Sequence, residues 1–132
     1  MKLARDRLFT LKPGYMDAGQ GPFFCPGSIK LEGALSYYPS LREQIDVVYI
    51  EFPRPRQDII QHIGEENQGA PVLVLGRPVP AGADRSRIQS HAGPAGPVLF
   101  VNGSDHILAY LACAYGIATD HHRMKNAQKT QV

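Results

Sequence analysis

Three short runs of apolar, mostly β-branched sequence constrain this chain more than anything else in it. Val47-Val48-Tyr49-Ile50, Val72-Leu73-Val74-Leu75 and Val98-Leu99-Phe100-Val101 show little alternation with polar residues. A strand that faces water on one side alternates, whereas a continuous apolar strand is covered on both faces. The segments between these runs carry the helical spacing that would supply such covers. The chain therefore reads as α/β, a four-stranded mixed sheet with helices on both faces in the order β-α-β-α-β-β-α.

Taken in order, residues 7–12 form the first strand, and Pro13-Gly14 opens a polar, Gly-rich loop. Leu31, Ala34, Leu35 and Tyr38 fall at i, i+3, i+4 and i+7, which predicts a helix from Pro26 to Tyr38, closed by Pro39. Gly33 inside it reads as a point of close packing. The strand at 46–52 leads through Pro53-Arg54-Pro55-Arg56 into a helix with Ile59, Ile60 and Ile63 inward and Gly64 as its stop. Arg54 and Arg56 either lie near the ligand-binding edge of the sheet, where the preceding strand ends, or, by default, are solvated residues at that helix start. Pro71 leads the third strand, and 97–101 forms the fourth. The last helix starts at Ser104 and stops at Gly116, with Ile107, Leu108, Leu111 and Tyr115 inward. Residues 76–96, rich in Gly, Pro and Ala, read as a long inserted loop, and its bland reading is a surface excursion. One domain at 1–118 and a flexible tail at 119–132 complete the organisation.

Bulk properties exclude several classes. A net charge of +2 argues for neither nucleic acid nor a membrane surface. No apolar stretch approaches a membrane span, and Met1–Arg7 is charged without an apolar region after it. The two cysteines, Cys25 and Cys113, lie far apart in different predicted helices, which suits reduced thiols and a cytoplasmic location. Cys113, between apolar neighbours, reads as core. The His121-His122 pair matches no closed ligand set, so no metal is expected.

One atom stands out chemically. Pro26 suits the first position of a helix, which makes Cys25 its N-cap. A sulfur placed there lies beside unpaired N–H groups and the positive end of the helix, a setting that lowers a thiol's pKa. Cys25 is then either a nucleophile or an inert thiol at a helix start. Ser28 either hydrogen-bonds the sulfur or serves free N–H groups of the first turn.

This order, with Cys25-Pro26-Gly27-Ser28 opening the first helix, resembles the thioredoxin superfamily, and most closely glutaredoxins and the N-terminal domain of glutathione transferases. It is also similar to an uncharacterised bacterial family of small thioredoxin-like domains. The likeness spans residues 7–117, with 76–96 as an insertion. Cys25-Pro26-Gly27-Ser28 is similar to the monothiol form of the glutaredoxin Cys-Pro-x-Cys motif, Ser28 replacing the second Cys. Ala70-Pro71 is similar to the family's cis-proline, and Gly103-Ser104-Asp105-His106-Ile107 to the transferase segment whose serine holds the γ-glutamyl carboxylate. Gly103 stands where that segment usually has an acidic residue.

The resemblance implies a monothiol thiol–disulfide protein with Cys25 as nucleophile and Ser28 beside it. Lys12, Pro26, Ala70, Pro71 and Ser104 would form the substrate site. No cofactor is bound in this reading, glutathione is a candidate co-substrate, and the partner is a small thiol or a protein thiol or disulfide. Ser104 serves equally well as the cap of the last helix. The alternative from another class is a catalytically inactive thioredoxin-fold module that binds a protein partner.

Overall fold

A computed structural model describes residues 2–121 of the chain. The described residues form seven strands: β1 (Arg7–Leu11), β2 (Tyr15–Asp17), β3 (Gln20–Phe23), β4 (Asp46–Ile50), β5 (Val72–Val74), β6 (Gln89–Gly93) and β7 (Gly96–Asn102). The helices are α1 (Pro26–Tyr37), α2 (Leu41–Gln44), α3 (Gln57–Ile63) and α4 (Ser104–Tyr115). Five strands form the main sheet in the order β4-β1-β5-β7-β6, and β2 and β3 pair separately as a hairpin. β1 runs parallel to β4 and antiparallel to β5, so Leu8 lies between Val47 and Leu73. β7 is antiparallel to both β5 and β6.

Side chains alternate between the two faces of this sheet, as the strand pleat requires. Leu8, Leu73 and Val101 pack with Leu31 and Leu35 of α1 and with Ile107 and Leu111 of α4. Phe9, Val72, Val74 and Phe100 pack with Ile59 and Ile63 of α3. Covering both faces explains why these runs tolerate so little polar sequence.

A polar knot closes the far end of the sheet, away from the start of β5. Asp6 is almost wholly buried. Its carboxylate accepts from the N–H groups of Gly76 at 2.8 Å and Arg77 at 3.0 Å, and from the Tyr115 hydroxyl at 2.6 Å. Burial and then the Asp6 contact hold that hydroxyl above the ordinary phenol range. Position 76 accepts only glycine, because a Cβ there would overlap the Arg5 carbonyl.

Several expectations need correction. The main sheet has five strands rather than four, because the supposed loop at 76–96 contains a turn of 3₁₀ helix at Arg85–Arg87 and the edge strand β6. The loop after Lys12 folds into the β2–β3 hairpin. Gly33 is exposed, with nothing within 4 Å of where its Cβ would stand, so it marks no close packing. Cys113 is exposed rather than core, because Ile107, Tyr110 and Leu111 take the inward face of α4. Gly103 occupies the cap position of α4 and Ser104 its first turn. Of the tail expected at 119–132, residues 122–132 lie outside the described residues.

Candidate functional site

The site is built where β1 ends, α1 begins and β5 begins. Cys25 caps α1 with extended backbone, φ −82° and ψ 120°, and Pro26 occupies the first turn. This geometry turns the sulfur back over the helix start, where Sγ accepts the Ser28 N–H at 3.4 Å. The Cys25 carbonyl accepts the first helical bond from the Ile29 N–H at 3.0 Å. Cys25 is half-buried against the core cluster that includes Ile59 and Val72.

Ser28 has a role that its sequence position did not reveal. Its hydroxyl, almost wholly buried, accepts the Leu11 N–H at 3.0 Å. β5 pairs with β1 only as far as Phe9, so the next inward N–H of β1 needs another partner. Ser28 supplies it. The side chain thereby stitches the end of β1 to the first turn of α1, and its backbone N–H, rather than its hydroxyl, meets the sulfur.

Pro71 sits directly over this helix start. A Cβ at Gly27 would stand 3.0 Å from Pro71 Cδ, 3.2 Å from its Cγ and 3.5 Å from Ser104 Cβ. Only a residue without a Cβ lets the three segments close this tightly. The Ala70–Pro71 peptide bond is cis, as are Gly21–Pro22 and Arg54–Pro55. The Pro71 carbonyl accepts the Gly103 N–H at 3.2 Å, which ties the entry of β5 to the start of α4. The structure thus gathers Cys25, Pro26, Ser28, Ala70, Pro71 and Ser104. Lys12 takes another partner, its ammonium pairing with Glu51 at 2.9 Å.

Beside Pro71 lies an open cleft of about 380 Å³, lined by Arg54, Asn67, Gln68, Ala70 and Asn102 among others, with the Glu66 carboxylate at its edge, 3.0 Å from His91 Nδ1. Arg54 is exposed and makes no ion pair among the described residues, so it is the cation this cleft offers to an anionic ligand.

Arg56 departs most from its expected role. It is only 8% exposed, and its guanidinium donates to the carbonyls of Phe52, at 3.0 and 2.6 Å, and Gln68, at 2.8 Å. It also lies over the Phe52 ring, 5.6 Å from the centroid, and Tyr15 stacks on that ring at 4.3 Å. Burial, and then the neighbouring charge of Arg54, hold this guanidinium below its ordinary range, while the Cys25 sulfur pulls the other way. The guanidinium therefore carries a buried charge that its carbonyl partners do not neutralise. Sequence carried no sign of this, because the partners are main-chain atoms.

The fold and site define an α/β domain with a partly accessible thiol at a helix N-terminus and a proline packed over it. The chain belongs to the family described as protein of unknown function (DUF3088), whose model matches residues 5–119. Neither the curated proteins nor the solved structures contain a match to it. Among the described residues, no helix is long and apolar enough to cross a membrane.

Proposed function

We propose that this chain is a monothiol thiol–disulfide exchange protein with a thioredoxin-like arrangement of β1, β4, β5 and β7 around α1, α3 and α4. The observation that carries the reading is the Cys25 sulfur at the start of α1, held by the Ser28 N–H, with Pro71 packed against Gly27. Further support comes from the parallel β1–β4 pair followed by antiparallel β5 and β7. The Cys25 thiolate attacks one sulfur of a substrate disulfide. A new S–S bond forms to Cys25, the substrate's S–S bond breaks, and the second sulfur leaves as a thiolate that takes a proton from water. With Ser28 in place of a second cysteine, release needs an external thiol. Its thiolate attacks the substrate-derived sulfur of the mixed disulfide and returns Cys25 to the thiolate. The net change is exchange of one thiol partner for another, with no electrons gained or lost overall.

In this reading Arg54 and the cleft beside Ala70-Pro71 take the polar part of a small peptide thiol such as glutathione, and Ser104 lies at the same edge. Mixed-disulfide formation with glutathione disulfide tests the proposal. Cys25→Ser should remove most of the adduct, leaving only slow reaction at Cys113, whereas Cys113→Ser should leave it largely intact. An adduct undiminished by Cys25→Ser would overturn the reading in favour of a module that binds a partner without turnover.

A further inference from the structure

The cleft beside Pro71 is polar, but the residues that lead into Cys25 are not. Six large apolar side chains are exposed among the described residues, and four of them lie on the hairpin and helix start that flank Cys25 along the chain: Met16 at 54%, Phe23 at 41%, Phe24 at 54% and Ile29 at 53%. Phe23 and Phe24 directly precede Cys25, and Ile29 lies one turn into the helix that Cys25 caps. Met16 reaches them across the hairpin. A Cβ at Gly21 would meet both the Met16 sulfur, at 3.1 Å, and the Phe23 ring, at 3.3 Å, so the two side chains converge there. The hairpin is anchored on the domain by Tyr15, which stacks on Phe52, and its base is closed by the Gly14 N–H donating to the Phe23 carbonyl at 2.7 Å. Its one charged strand residue is Asp17, at the turn.

Small-molecule sites are concave, and this surface projects outward on a hairpin, which suits a macromolecule. Its size favours a passing partner over a second copy of the chain. With roughly 200 Å² available to each large side chain, the exposures correspond to an area on the order of 400 Å² in total. A stable interface buries about 800 Å² per partner. A patch of this size on a monomer is often functional.

We infer that the β2–β3 hairpin and the start of α1 form a docking collar for a polypeptide whose reactive sulfur lies next to large apolar side chains. This rests on the thiol-exchange reading, since it places the substrate's disulfide at Cys25. Met16 and Phe23 take a flanking apolar side chain on the hairpin, and Phe24 and Ile29 take one nearer the helix.

The test uses the full chain carrying Cys113→Ser and three substrates. One peptide has its cysteine in a disulfide with glutathione and flanked by Phe and Leu, a second is flanked by Ser on both sides, and the third substrate is glutathione disulfide. The Phe/Leu peptide should react about tenfold faster than the Ser-flanked one, the gain from partly burying one or two apolar side chains. Met16→Ser with Phe24→Ser should erase that preference and leave the rate with glutathione disulfide unchanged. Equal rates on the two peptides, or an equal loss on all three substrates, would overturn the collar. A second measurement separates the collar from the exchange reading: NMR of the protein with the Phe/Leu peptide carrying Ser in place of Cys. Shifts at the Met16 methyl and the Phe24 ring support docking even if no disulfide reacts, in which case the exchange reading alone fails. No shifts at those groups would overturn the collar whatever Cys25 does.

Discussion

Two glycines in α1 face opposite environments, so the same substitution should have opposite effects. At Gly27 an alanine Cβ would stand 3.0 Å from Pro71 Cδ and 3.2 Å from Cγ. Ordinary carbon contacts are roughly 3.5–4.0 Å, so one side must yield by about half an ångström. Pro71 is a rigid ring and buried, and cannot swing aside. The helix gains up to about 1 kcal/mol from losing a glycine, but overpacking costs about 1–3 kcal/mol. Gly27→Ala should therefore destabilise the fold by about 0.5–2 kcal/mol. It should also shift Pro71 away from the helix start and slow mixed-disulfide formation at Cys25 roughly 3- to 10-fold. Gly33 is exposed, with nothing near its Cβ direction. Gly33→Ala should stabilise by about 0.5–1 kcal/mol and leave the rate alone. Urea unfolding and the rate of adduct formation, both in the Cys113→Ser background, measure these effects. If Gly27→Ala proves as stable as Gly33→Ala and reacts at the parent rate, the packing of Pro71 on Gly27 has no bearing on the thiol.

Other perturbations follow from buried polar groups. Asp6→Ala leaves the Gly76 and Arg77 N–H groups and the Tyr115 hydroxyl without their acceptor, and should cost about 3–5 kcal/mol in urea unfolding; a loss under about 1 kcal/mol would contradict the knot's role. Arg56→Met removes the bonds to the Phe52 and Gln68 carbonyls, and should cost about 2–4 kcal/mol and slow adduct formation at Cys25, whereas unchanged stability would show those bonds to be dispensable. His62 is 7% exposed and packs on Phe9, and burial, followed by the charge of Arg7, holds its imidazole below the ordinary 6.5. The unfolded chain therefore binds that proton first, so this contribution is complete above about pH 6.5 and is lost as the pH falls toward the folded value. Urea midpoints at about pH 7.5 and about pH 5.5 should differ less in His62→Phe than in the parent, and an unchanged difference would exclude His62 as the cause.

How much of this was legible in the sequence depends on burial. β5 is buried throughout, and β4 and β7 lend residues to the cores on both faces of the sheet, which leaves a continuous apolar signature. β6, Gln-Ser-His-Ala-Gly, lies at a sheet edge with little of it covered, and its strand form comes from pairing with β7 rather than from any pattern of its own. The hairpin is hidden for the same reason, its second strand being fully exposed. The convergence of Cys25, Pro71 and Ser104 was legible through their motifs, but the contact that joins them depends on Gly27, which no motif explains. Lys12 and Arg56 went the other way. One found a carboxylate at Glu51, and the other found carbonyls, and neither pairing leaves a trace in spacing. The exposure of Cys113 could have been read from phase, since Ile107, Tyr110 and Leu111 define a face that position 113 does not share.

The most direct measurement is a competition between the two thiols. Cys113 is the more exposed, so exposure alone would make it the first to react. The native chain, given a limiting amount of glutathione disulfide, is digested and the adduct at each cysteine is quantified by mass spectrometry. If the start of α1, with the Ser28 N–H on the sulfur, activates Cys25, its adduct should exceed that at Cys113 by about tenfold or more. An adduct found mainly at Cys113, or equally at both, would contradict Cys25 as the working nucleophile.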